Sequence, residues 1–348
     1  MTIRNTTDNN NKKTRVVKLD CMTDLVRFIK EKPNKSVKIV INFEDLSYLA
    51  RELGGDADEL NDPDLGINDW DVSRVVLMKG TFREATNFNQ PLDRWDVSNV
   101  RDMTYMFSDA CSFNQPLNDW DVSSVTSMKG MFQYASVFNQ PLDKWNVASV
   151  SNMRGMFCYA VVFNQPLNGW DVSNVRDMSE MFISARCFNQ PLNAWDVSNV
   201  RDMGRMFSEA DEFNQPLGMW NVANVINMEW MFWDAWRFNQ PLNEWDVSQV
   251  RDMHAMFGSA CQFNQPLDSW DVSNVRDMGR MFTLAGEFNQ DISGWDVIAC
   301  ESMRRMFYGA LTFNPSIIKD WAFNTYAELD EVFEEDILRE HGLPLSFP

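Results

Sequence analysis

Histidine and cysteine are scarce, with two of the first and six of the second in 348 residues. His254 and His341 are isolated, and the cysteines show neither a CxxC spacing nor a regular framework. That leaves little for a metal centre, a nucleophilic dyad or a disulfide scaffold. A glycine-rich phosphate loop is also missing, so the chain reads as a non-enzyme that needs no cofactor and no metal. Positive charge is short too. Against 31 Lys and Arg stand 50 Asp and Glu, a formal net charge of -19, which disfavours nucleic acid as the main ligand and likewise an anionic membrane surface. No apolar run approaches the ~18 residues of a spanning helix, so no direct membrane insertion is expected. The first 13 residues lack the apolar core of a secretory signal and a lipidated Cys. The expected location is therefore intracellular, in the cytoplasm of a cell or host or within a virus particle.

What the chain has in excess is 14 Trp, 25 Phe and 22 Met. From Trp70 to Trp295 a Trp returns every 25 residues without insertion, and Phe82 to Phe307, Phe88 to Phe313 and Met78 to Met303 keep the same step. A fixed period of this kind signals a repeat stack. The unit from Trp95 reads W-D-V-S-N-V-R-D-M-T-Y-M-F-S-D-A-C-S-F-N-Q-P-L-N-D. Trp95 and Val97 alternate with polar neighbours as a half-buried strand does. Val100, Met103, Met106, Phe107 and Ala110 fall at steps of three and four, the pattern of one face of a short helix, with Ser98 or Asn99 as its cap. Pro116 then stops the helix and returns the chain. One strand and one short helix per repeat give an α/β fold class. One unit buries too little to offset its ordering entropy, so repeats must stack. Strands stack about 4.8 Å apart and helices about 8 to 10 Å, so the expected form is a curved solenoid of about ten repeats with helices outside.

The text F-N-Q-P-L-x-x-W-D-V-S-N-V-x-x-M-x-x-M-F-x-x-A, nearly intact from Phe88 to Ala110 and from Phe163 to Ala185, resembles the 25-residue repeat of the BspA-like surface-protein families. These are best known from mycoplasma lipoprotein-associated proteins and occur also in protists and large DNA viruses. The resemblance runs over about residues 63 to 336. It implies a leucine-rich-repeat-like α/β solenoid and carries no general enzymatic activity or catalytic residues.

The expected organisation is a disordered arm over 1–13, an N-terminal β-α-β-α cap over 14–62, tandem repeats over 63–320 and a helical, acidic C-terminal cap over 321–348. In the first cap, strands are expected at Val16 to Leu19 and Val37 to Phe43, and helices at Thr23 to Glu31 and Asp45 to Leu53, the last stopped by Gly54 and Gly55. At the far end Tyr326, Leu329, Val332 and Phe333 take the columns of Val, Met, Met and Phe, and Glu328, Asp330, Glu331, Glu334 and Glu335 form either a charged end to the stack or an acidic docking tail. The six cysteines are expected reduced, since Cys111 and Cys261 lie six repeats apart and Cys158 and Cys187 sit in different columns.

Three columns invite a functional reading. Asn89, Asn114, Asn139 and their successors to Asn314 can face inward and bridge backbone groups of adjacent repeats, with ligand binding as the alternative. The residue after each Trp is Asp except at Asn146 and Asn221, and two residues later Ser becomes Ala only at Ala148 and Ala223 apart from Ile298. A carboxylate accepting from the Ser hydroxyl accounts for the joint change. Arg101, Arg176, Arg201, Arg251 and Arg276 offer partial countercharge, and calcium is the sharper alternative. Finally, Trp230, Trp233 and Trp236 lie off the apolar face in one repeat. They are either the centre of a partner contact or indoles folded onto the small Ala255 and Gly258 of the next repeat, with Arg205 against a ring.

The functional expectation is a non-enzymatic protein–protein interaction or structural scaffold protein whose acidic surface meets a partner with a basic surface. Alternatives are a virion or particle component with lateral self-association, and a surface adhesin.

Overall fold

In the computed structural model of the chain the described residues are 1–7, 13–31, 37–54 and 58–342. They fall into two compact units, Met1–Pro166 and Leu167–Pro348. The expected helix stop at Gly55, part of the expected arm and the last six residues of the expected C-terminal cap lie outside the described residues.

The first unit begins with a three-stranded sheet in which β1 (Thr2–Thr7) pairs antiparallel with β2 (Lys13–Leu19), and β2 pairs parallel with β3 (Val37–Ile41). The residues expected as a disordered arm therefore include an edge strand. Ile3 and the flanking threonines are β-branched, and Thr2 and Ile3 find backbone partners opposite Lys18 and Val17. The parallel crossover is α1 (Met22–Lys30), whose Leu25, Phe28 and Ile29 are buried at the spacing of one helical face. A short α2 (Leu49–Leu53) ends at Gly54, whose φ of 124° needs glycine.

β3 carries the cap into the repeats. Ile41 donates its N–H to the Asp71 carbonyl and Asp71 donates to Ile39, at 2.9 Å each, and Leu46, Tyr48 and Ala50 donate to Leu77, Lys79 and Thr81. Segment 45–50 thus occupies the place of a repeat and covers the open backbone of the first one.

No α-helix forms in the tandem repeats among the described residues, which corrects the expected strand and helix per repeat. In the Trp95 repeat the N–H groups of Met103, Tyr105, Phe107 and Asp109 cross to the carbonyls of Ser127, Lys129, Met131 and Gln133, at 2.8 to 3.0 Å. The N–H groups of Met106, Ser108 and Ala110 turn back onto the carbonyls of Met103, Tyr105 and Phe107. Successive tight turns of this kind also bring every third or fourth residue inward, so their apolar spacing imitates a helical face. The carbonyls of Asp102, Thr104, Met106 and Ser108 accept from the preceding repeat, and the segment's backbone is fully paired. With no helix to widen one side, the reason given for curvature falls away.

The turns require left-handed backbone at two positions four residues apart, as at Tyr105 (φ 56°) and Asp109 (φ 61°), Arg205 (φ 59°) and Glu209 (φ 58°), or Trp230 and Asp234 (both φ 55°). Gly130 and Gly155 fill the first position without strain. A side chain there costs about 1–2 kcal/mol, which stacking on both sides offsets.

Inside, the two Phe columns form a continuous ring stack within each unit. Phe107 lies 4.2 Å from Phe113 and 5.6 Å from Phe132 in the first, and Phe207 lies 4.1 Å from Phe213 and 5.7 Å from Phe232 in the second. The indoles of the 25-residue Trp column are buried and reach across repeats with their N–H groups. Trp120 Nε1 donates to the Leu92 carbonyl at 2.9 Å, and Trp220 Nε1 to Leu192 at 3.0 Å. The Asn column makes a third ladder. Asn214 Oδ1 accepts the Asn239 N–H and the Gln240 side-chain amide, both at 3.0 Å, while its own N–H donates to Asn189 Oδ1. These side chains lie at the margin of the stack, not inward: half-buried from Asn114 to Asn264 and exposed at Asn89, Asn289 and Asn314.

At the end of the second unit the repeat step lengthens from 25 to 26 residues, with Ser302 bridging to Glu328, and Met303, Arg305 and Phe307 donate to Glu328, Asp330 and Val332, 25 residues on instead of 24. Val332 and Phe333 are buried in the expected columns, but Tyr326 is 91% exposed, so its place in the Val column is a matter of register alone. The closing α3 (Glu335–Glu340) buries Ile337 and Leu338. Burial pushes the Cys300 thiol up to about 11. Among the described residues no helix is long and apolar enough to cross a membrane.

Two outcomes test this account. Glu84 is exposed and left-handed (φ 64°), so Glu84→Gly is expected to stabilise the protein by about 0.5–1 kcal/mol, the relieved strain less the added unfolded-state entropy. A lower denaturant midpoint would count against strain at this position. Asn214→Ala strips an acceptor from two donors and should cost about 1–3 kcal/mol, whereas Asn214→Asp, which keeps Oδ1, should cost less than half as much in the same assay.

Candidate interaction surface

Ladder hydrogen bonds and core packing fix most columns of the repeat, leaving those beside the left-handed turns free to vary. Trp230 occupies one such left-handed position, Trp233 follows three residues later, and Trp236 stands just beyond the turn. The structure brings the first two together, with ring centroids 4.5 Å apart, and sets the Arg205 guanidinium 5.6 Å over Trp230 and the His254 ring 5.8 Å from it. Trp233 lies on the next repeat, where any side chain larger than that of Gly258 would collide with its ring. Both indoles are half-buried. Trp236 is 58% exposed and points away from this pair's packing.

The same fit recurs down single columns. Tyr105 lies on Gly130 and Leu284 on Gly309, each pair one repeat apart. A large residue followed 25 positions later by glycine was the sequence signal for these contacts, and only Trp233 with Gly258 was read that way.

Around the indoles carboxylates outnumber cations. Burial pushes Asp211, Glu229 and Asp234 above the usual carboxylate range. For Asp234 the neighbouring Asp211 and Glu209 add to the push, and Arg186 opposes it. Arg237 is held by Glu212 at 2.7 Å and Arg205 by Glu229 at 3.5 Å. On the flanking column burial also raises Asp252, with Asp277 adding to it. Asp277 itself is held low: burial acts to raise it, but His254, with Nδ1 at 3.2 Å, and the Gly279 N–H outweigh that.

The Asp column after each Trp has a local purpose. Asp171 Oδ1 accepts the Ser173 hydroxyl at 2.6 Å and the Ser173 N–H at 3.1 Å, and Asp71 and Asp96 bind Ser73 and Ser98 alike. Asn146 and Asn221 keep only the backbone bond, to Ala148 and Ala223. The amide oxygen replaces the carboxylate at two repeats where no hydroxyl needs it, in keeping with the joint substitution, while Asp296 keeps its carboxylate beside Ile298 and accepts only the N–H. Of the arginines offered as countercharge, Arg276 pairs with Glu301 at 2.6 Å and not with the Asp column. Among the described residues no group of three or more His, Cys, Asp or Glu side chains is placed to hold a metal ion.

The hydroxyl and N–H of Ser173 hold the Asp171 carboxyl below the usual range. A depressed folded pKa contributes stability in full above the unfolded pKa, and this is lost as pH falls through the folded value. Ser173→Ala is therefore expected to return Asp171 toward the ordinary range in an NMR titration and to cost about 0.5 kcal/mol above that window, a small figure because the pair is exposed. A double-mutant cycle with Asp171→Asn that showed no coupling would remove the pairing.

Comparison with curated proteins finds no match. A family model does match, over residues 52–170, 136–245, 159–268 and 234–339. Four overlapping matches that start and end within a 25-residue pattern are what a tandem array produces, and together they cover most of the chain. The chain belongs to the repeat family described as Mycoplasma protein of unknown function, DUF285.

Proposed function

We propose that the protein is a non-enzymatic interaction module in which each unit is a stretch of leucine-rich-repeat-like solenoid of the BspA-like kind. Its ladders act as a rigid frame, and the variable columns present an acidic surface to a basic protein partner. The hydrogen bonds that link successive repeats at matching positions support the solenoid reading. The observation that carries the functional reading is Trp236, 58% exposed in a region where Glu209, Asp211, Glu212, Glu229 and Asp234 outnumber Arg186, Arg205 and Arg237. An incoming Lys or Arg would find an aromatic face and an excess of negative charge together. Trp230 and Trp233 support the platform from beneath by packing on Arg205 and Gly258.

The test titrates a lysine- and arginine-rich peptide into the full chain by calorimetry at low and high salt. Affinity is expected to fall as salt rises, and Trp236→Ala to cost about 2 kcal/mol of binding with the melting temperature unchanged. Trp233→Ala should instead lower the melting temperature. Equal affinity for Trp236→Ala and the parent would place the contact in another column.

A further inference from the structure

The first unit holds a groove of ≈ 380 Å³ where the cap meets the first two repeats, lined among others by Asn42, Glu44, Ser73, Arg74, Asn99 and Arg101. In a chain with 50 acidic and 31 basic residues, two guanidiniums on one concave surface without a carboxylate partner are unusual. Arg74 stands at a position that is Asn, Ser, Gln or Ala in every other repeat. There the amide or hydroxyl bridges to the preceding repeat, as Asn99 does to the Ser73 carbonyl at 2.9 Å. Arg74 instead reaches the cap and donates from Nη1 to Asn42 Oδ1 at 2.7 Å, and Asn42 is anchored in turn on Asp20. One arm of the guanidinium is thereby fixed and the other nitrogens are left for a ligand.

Arg101 is left without a partner by its column. Arg276, at the same position, ion-pairs with Glu301 one repeat on. The residues flanking Arg101 in that column are Val76 and Thr126, neither of them acidic, and Thr126 donates its N–H and hydroxyl to the Arg101 carbonyl. The Arg101 backbone is clamped on both sides, with its N–H on the Val76 carbonyl at 2.8 Å, while among the described residues its guanidinium has no hydrogen bond or ion pair. The Ser73 hydroxyl is already spent on Asp71, so the two guanidiniums are the donors the groove has to offer.

We propose that this groove binds a carboxylate of a polypeptide, either an acidic side chain or a chain terminus, between Arg74 and Arg101. The planar fork of arginine matches a carboxylate bidentately, and the volume falls in the usual range for a small-ligand site. Charge selects the class of anion. Arg74 and Arg101 against Glu44 leave a formal +1 on the lining itself, with Asp20 and Asp71 one hydrogen bond behind it, so a singly charged carboxylate fits, whereas a phosphate monoester at about -1.5 to -2 would set surplus charge beside three carboxylates. This site stands apart from the proposed tryptophan surface, and either can fail without the other.

The experiment titrates N-acetylglycine into the isotopically labelled full chain and follows backbone amides by NMR, with inorganic phosphate and neutral N-acetylglycinamide as comparators. Saturable shifts are expected at Ser73, Arg74, Asn99 and Arg101, weaker for phosphate and absent for the amide. Arg101→Gln should weaken binding at least tenfold with an unchanged melting temperature, and Glu44→Gln should narrow the preference over phosphate. Should Arg101→Gln melt early, Arg74→Gln carries the same test. Non-saturable shifts, equal shifts with the neutral amide, stronger binding of phosphate to the parent chain, or unaltered affinity in a well-folded arginine variant would each overturn the proposal.

Discussion

Alternate backbone N–H groups in each repeat serve two different masters, and the rest of the structure follows from that division. One set, such as Met103, Tyr105, Phe107 and Asp109, ties a repeat to its successor; the intervening set closes turns within the repeat. A helix would spend all of these groups locally and leave nothing to connect neighbours. An ordinary strand would connect neighbours but could not bend sharply enough to bring Met103, Phe107 and Ala110 to one side. The turns achieve both, at the cost of left-handed backbone twice per repeat.

Side-chain ladders then fix what the backbone leaves open. The Trp column bonds a carbonyl of the previous repeat, the Asn column bonds the next backbone N–H, and the Phe rings stack between them. Each ladder demands the same residue at the same place in every repeat. The positions it does not constrain are those where Tyr105, Trp233 and Leu284 sit, and there size is negotiated only between neighbours, a large side chain over a glycine. Constraint and freedom are thus segregated by column, and the surface with chemical individuality is the one beside the turns.

The ladders were legible because each depends on identity and spacing alone. Asn at a constant position announces a bridge, and Ser lost together with Asp announces a local bond. The helix was misread because steps of three and four do not distinguish a helical turn from a string of tight turns. The distinguishing signal was present in Gly80, Gly130, Gly155 and Gly309, which all occupy left-handed positions, but Tyr, Arg, Glu and Trp fill most of the others and hide it. Thr2–Thr7 gives little apolar pattern, and its strand owes its existence to the edge of β2. The Arg74 and Arg101 groove escaped notice because it joins residues of the cap to two different repeats, a proximity that no local pattern encodes.

The 26-residue step between Ser302 and Glu328 shows where this architecture tolerates a change in length. The extra residue falls in the stretch that includes the short 3-10 turn Pro315–Ile318, away from the turn ladder, so Val332 and Phe333 still reach the core. An added residue within the ladder would exchange the two sets of N–H groups and turn every apolar side chain after it toward water. Repeat number in such a chain therefore grows by copying whole segments of the gene, while single-codon insertions survive only in the connecting arm.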